Sequence, residues 1–163
     1  MNELLSTIPP SGGWHPLIIH FPVALLPVTT LFLIATLVWK HQRMVLLWVA
    51  LTLMGMGTLG SYIAVVTGED AKEHVVISKE NSSQLEQHQE AGENVWLMFT
   101  VLFALYAGIV WGVKKYPEYG EKYFAVVSTI FLLCYLFAVS QLIIAGHLGG
   151  TLVHKYGIHA VMK

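Results

Sequence analysis

Residues 17–39 read LIIHFPVALLPVTTLFLIATLVW, twenty-three positions without an Asp, Glu, Lys or Arg. A helix needs about 20 apolar residues to cross a hydrocarbon core. Apolar side chains surround this segment on every side, so it reads as a membrane span and not as an amphipathic helix of a soluble bundle. Three further stretches have the same character: 44–66, 95–113 and 123–146. The sequence therefore predicts an all-α fold, a four-helix transmembrane bundle running up-down-up-down, with one integral membrane domain over residues 1–163.

The connections between spans set the helix ends. Gly68 and the polar run after it are expected to end the second helix. Ser83 with Glu86 reads as a capping box, which starts a helix near Ser83 that continues unbroken through the third span to Val113. About two turns of that helix then project beyond the apolar zone and carry His88. Pro117 and Gly120 break the chain before the fourth span, and Gly146, Gly149 and Gly150 threaten its far end.

Charge gives the orientation. Five of the nine basic residues, Lys40, Arg43, Lys114, Lys115 and Lys122, crowd into the two short turns, whereas Lys72, Lys79, Lys155 and Lys163 are spread through longer segments. The positive-inside rule places the short turns in the cytoplasm and both termini outside, in the periplasm of a bacterial inner membrane. Trp14, Trp39, Trp96 and Trp111 sit near span ends as interfacial anchors. A net charge of -1 offers nothing to nucleic acid. The N-terminal segment has neither the basic region nor the small-residue cleavage site of a cleavable signal. The single cysteine, Cys134, lies inside the fourth span, which excludes a disulfide, a Cys-x-x-Cys-His haem attachment and a thiolate cluster within this sequence.

Seven of the eight histidines, all but His41, fall on the outer side. Imidazole is the commonest neutral protein ligand of transition metals and haem iron, so a one-sided cluster points to such a site. Helical counting from the cytoplasmic boundary puts His20 at about 28 Å, His15 at about 36 Å, His147 at about 37 Å and His88 at about 39 Å. His20 is the deepest, inside an apolar run, where an unpaired ring is costly; it is expected to be a ligand or to hold a committed hydrogen bond. His15, His88 and His147 reach a common height on three helices. His147 and His154 are seven apart and share a face if the helix continues. His41, His74 and His159 read as interfacial anchors.

Gly55-Met56-Gly57-Thr58-Leu59-Gly60 matches G-x-G-x-x-G but sits within a hydrophobic helix, so the dinucleotide reading fails its context. Small residues there permit another helix backbone, or a flat porphyrin, to come close. No carboxylate, Lys or Arg lies in the core of a span, which leaves an ion-coupled transporter without obvious machinery. Gln141 is the main strongly polar residue at depth. No Ser-His-Asp or His-Glu-x-x-His arrangement suggests hydrolysis.

His15-Pro16, His20-Phe21-Pro22 and the closing Gly149-Gly150-Thr151-Leu152-Val153 resemble the signatures of an uncharacterised bacterial family of small four-helix membrane proteins. That family looks related to two-haem cytochrome b bundles, and some of its relatives are fused to c-type cytochrome domains, which implies redox work. By this resemblance His15, His20 and His88 match its histidine positions. The closing segment departs, since Tyr156 stands where the family pattern places a histidine before the final glycine; His147 or His154 is the substitute.

The expected function is electron transfer by a b-type cytochrome-like protein, a carrier or redox subunit more than a self-contained enzyme. It would hold one or two noncovalent haems through histidine pairs near the outer face. The expected deeper pair is His20 with His88 or His147, and the expected candidates for a second are His15 and His154. A quinone or a periplasmic redox protein would be the partner, with a homo-oligomer open. A copper or zinc site needs the same imidazoles without haem. A structural or assembly subunit needs neither.

Overall fold

The computed structural model describes residues 11–72 and 78–158. His74 and His159, expected as anchors, lie outside the described residues. A 3-10 turn, Ser11–Trp14, leads into a one-turn helix α1 (His15–Ile18) and then α2 (His20–Val38). A second 3-10 turn, Lys40–Gln42, reverses the chain into α3 (Arg43–Lys72), followed by α4 (Ser82–Lys115) and α5 (Pro117–Tyr156). The four long helices are each long and apolar enough to cross a membrane.

The helices form a square. α2 packs on α3, α3 on α4, α4 on α5 and α5 back on α2, while the diagonal pairs do not touch among the described residues. Leu26, Leu47, Met54, Phe99, Val110 and Tyr135 fill the centre at 0–1 % exposure. Leu31, Val45, Ile143 and Leu133 face outward, as they must if lipid and not water surrounds the bundle. Lipid is as apolar as leucine, so helix association depends on close approach rather than on the hydrophobic effect. The Gly55–Gly60 run serves that approach. A Cβ on Gly57 would meet Leu26 Cδ2 at 2.6 Å, and one on Gly60 would meet Pro22 Cδ at 3.1 Å. The porphyrin option for this run gives way to helix packing.

Tyr135 donates its hydroxyl to Leu26 O at 2.9 Å, tying α5 to α2 in the middle of the core. Thr29, Thr36, Thr58 and Ser61 return their hydroxyls to carbonyls of their own helices, so their polarity is absorbed locally.

Helix ends differ from expectation in three places. α3 continues through Gly68 to Lys72, because Gly68 lies beneath a side chain from α1 and its lack of a Cβ serves contact, not termination. α4 starts at Ser82, with Asn81 as its N-cap and no side-chain cap bond; Asn81 Oδ1 instead accepts from the Ser78 amide at 2.8 Å, so the Ser83–Glu86 box does not form. α5 begins at Pro117, whose missing N–H costs nothing at a first turn, and runs through Gly120, Gly146, Gly149 and Gly150 to end on left-handed Gly157. The third membrane helix does extend well beyond its apolar segment.

Candidate functional site

A cavity of about 400 Å³ opens between the ends of α1, α3, α4 and α5. Its inner wall is apolar, with Ile19, Val65, Val95 and Leu142, and its mouth carries Glu69, Lys72, Gln89, Glu93 and His154. Lys72 Nζ donates to Gln89 Oε1 at 2.8 Å, joining α3 to α4 across that mouth.

His15 and His88 are the two histidines set into its walls. Their ring centroids are 6.4 Å apart and their planes stand at 81°. His15 Nδ1 is 2.8 Å from Ala64 O and 3.4 Å from Thr67 Oγ1. His88 Nδ1 is 3.1 Å from Ala145 O. A carbonyl only accepts, so each Nδ1 carries the proton, and in the neutral ring each Nε2 keeps its lone pair. Among the described residues neither Nε2 has a hydrogen-bond partner. Fixing one imidazole nitrogen by a backbone carbonyl is the usual means of orienting the other toward a metal.

Glycine completes both placements. A Cβ on Gly68 would lie 3.1 Å from His15 Cε1, and one on Gly149 would lie 2.8 Å from His88 Cε1. The same device therefore occurs twice. A histidine near the start of one helical hairpin donates to an alanine carbonyl near the end of the hairpin's second helix, and its ring lies over the glycine four residues on. Ala64 and Gly68 receive His15; Ala145 and Gly149 receive His88. The histidine and its carbonyl are 49 residues apart in the first hairpin and 57 in the second. The two hairpins thus present equivalent imidazoles to one cavity from opposite corners of the square.

The other expected site residues stand elsewhere. His20 is exposed and does not line the cavity. Five residues of helix turn it about 140° from His15, so the pair cannot share a face, and Pro22, with no N–H, interrupts the ladder where α1 passes into α2. His147 is exposed because it lies two residues from both Ala145 and Gly149, on the opposite side of α5. His154 is exposed at the cavity mouth. His41 is exposed at the far end of the bundle. The juxtaposition is thus His15 with His88, where the sequence suggested His20 with His88 or His147. Gln141 is half-buried and outside the cavity. The residues that reading missed are the receivers, Ala64, Gly68, Ala145 and Gly149; two Ala-x-x-x-Gly spacings near helix ends were the available signal.

Among the described residues no group of three or more His, Cys, Asp or Glu side chains converges at metal distance. The site offers two imidazoles, an apolar wall and a polar mouth.

A chain with four membrane-length helices and a histidine pair at one end of the bundle is an integral membrane protein. Residues 13–162 match the family described as predicted membrane protein (DUF2231), and the chain belongs to that family. Searches of curated proteins and of solved structures returned no match.

Proposed function

We propose that His15 and His88 would together hold a single b-type haem, and that this membrane protein carries electrons at its outer face. The observation that carries the reading is the repeated tether. Two histidines from different hairpins are each held by Nδ1 on a backbone carbonyl, each laid on a glycine, with both Nε2 atoms left without a partner among the described residues.

Separation favours one metal between them. Metal–imidazole bonds of about 2 Å on both sides set the ring centres roughly 6 Å apart, close to the 6.4 Å found. A quinone ring spanning the two nitrogens would need them much farther apart. Donor number favours haem over bare copper or zinc. A tetrahedral ion takes three or four protein ligands, and the described residues bring only two imidazoles together here. A haem would bring its remaining nitrogen ligands and a one-electron iron couple with it, so two histidines would suffice. An apolar wall would suit a macrocycle, and Lys72 and His154 stand at the mouth, beside Glu69 and Glu93, where acidic substituents would meet water.

The residues' own part is positional. Ala64 and Ala145 fix the tautomer, Gly68 and Gly149 fix the ring planes, and the apolar wall excludes water from the nitrogen pair. With His15 and His88 both committed to it, a haem held here would supply electron exchange and leave no position for substrate. The positive-inside rule puts Lys40, Arg43, Lys114, Lys115 and Lys122 in the cytoplasm and the cavity in the periplasm of a bacterial inner membrane, where a quinone or a soluble redox protein would be the partner.

The test is a spectrum. Protein purified in detergent after expression with haem available should be red and give a b-type pyridine haemochrome. Colourless protein holding stoichiometric copper or zinc would replace haem by a metal site, and colourless, metal-free protein would overturn the redox reading.

A further inference from the structure

At the opposite end of the bundle a second cavity, of about 410 Å³, lies at the turn between α2 and α3, lined by Val38, Trp39, Lys40, His41 and Gln42. We propose that this turn binds the phosphate headgroup of an anionic phospholipid, with an acyl chain lying along α2. Two observations lead there, and the charge then selects the headgroup.

The first is charge without a carboxylate. Lys40 is exposed, and among the described residues neither Glu118 nor Glu121, the acids of this end, has an ion pair. The neighbouring cations rest on aromatic rings instead. The Arg43 guanidinium lies 4.2 Å from the Phe124 centroid, Lys115 Nζ 4.5 Å from that of Trp111 and Lys122 Nζ 5.2 Å from that of Tyr123. Arg43 also donates from Nε to Thr36 O at 3.4 Å, which fixes its charge beside the turn. Cations held on rings keep their full charge and attract an anion.

The second is the apolar margin. Val38 and Trp39 are 64 % and 60 % exposed at the cavity's edge. Leu31, Ile34 and Val38 are exposed at helical spacing, a continuous stripe leading from the bilayer side of α2 up to Lys40. A free phosphate has no use for that stripe; a lipid does.

The sign of the field follows from the first observation. A zwitterionic choline headgroup would bring a second cation against Lys40 and Arg43, whereas a glycerol headgroup brings none, so the turn selects the anionic class.

The experiment is native mass spectrometry of the detergent-purified full chain titrated with phosphatidylglycerol or, separately, phosphatidylcholine. The wild type should retain phosphatidylglycerol several-fold more strongly. Lys40→Gln should reduce that retention about fivefold, the weight of one basic residue at an anionic surface, and Lys40→Arg should restore it. Circular dichroism should show unchanged helix content in both variants. Equal retention of the two lipids by the wild type, or undiminished phosphatidylglycerol binding by Lys40→Gln, would overturn the proposal. Competition by glycerol phosphate as effective as by the lipid would also overturn it, because a chainless phosphate would then be the ligand.

Discussion

Gly149→Ala places one methyl group against the ring that the whole site depends on. Its Cβ would meet His88 Cε1 at 2.8 Å, Nε2 at 3.3 Å and Nδ1 at 3.4 Å. Ordinary contact begins near 3.4 Å, so the ring must retreat by about 0.6 Å. His88 Nδ1 already stands 3.1 Å from Ala145 O, and that retreat carries the hydrogen bond past useful range. The lost bond is worth about 1 kcal/mol, and the forced rotation costs about 0.5–1.5 kcal/mol more. Against this, alanine gains about 1 kcal/mol over glycine in a helix interior.

Gly150→Ala provides the control, since a Cβ there meets nothing within 4 Å and the propensity gain should appear alone. The two alanine variants, one residue apart on α5, should therefore differ by roughly 1.5–2.5 kcal/mol, Gly150→Ala being the more stable. Thermal unfolding in detergent reads the difference as several degrees. Equal midpoints for the two variants would refute the tight seating of His88 on Gly149, and with it the argument that glycine sets the ring plane.

Other perturbations follow from the same contacts. Gly68→Ala should perturb its site less than Gly149→Ala, because its Cβ would stand 3.1 Å from His15 Cε1 and the ring need give only a few tenths of an ångström; with the same helix-propensity gain, its unfolding midpoint should fall between those of Gly149→Ala and Gly150→Ala. Tyr135→Phe should cost about 0.6–1.7 kcal/mol by removing the α5–α2 hydrogen bond, as interhelical bonds in membranes do. Tyr106→Phe should be neutral or stabilising, since the buried Tyr106 hydroxyl has no hydrogen-bond partner among the described residues. Gly57→Ala should destabilise by about 1–3 kcal/mol through overpacking against fully buried Leu26, while Gly108→Ala, with open space around it, should not.

The fold was legible because membrane spans announce themselves. Four uncharged apolar stretches required four helices, and two short connections required antiparallel neighbours. Helix ends were less legible. Glycine at 68, 146, 149 and 150 looked like a breaker by propensity, yet these residues remain helical because surrounding helices hold them and, at 68 and 149, a histidine ring occupies the space of the missing Cβ.

Of the candidate site, the gathering of His15 and His88 at one end of the bundle was legible and their pairing was not. Counting residues from a boundary gives height along a helix but not the direction a side chain faces. His20 was ranked first by depth and turns out exposed, about 140° around from His15. His15 and His88 came out at nearly equal height, and the structure sets them across one cavity. Their carbonyl partners could not be foreseen, since a backbone acceptor carries no residue signature; only the Ala-x-x-x-Gly spacing at 64–68 and 145–149 hinted at where a ring would rest.

The central claim, that His15 and His88 serve one centre together, is tested most directly by a double-mutant comparison. Haem content and low-spin absorbance would be measured in wild type, His15→Ala, His88→Ala and the double variant, with His41→Ala as the control. Ligands of one iron act as a unit, so each single variant should lose the low-spin signal to the same extent and the double variant should add nothing. Partial losses that sum in the double variant would assign the two histidines to separate centres, and a full low-spin signal surviving in either single variant would contradict the account.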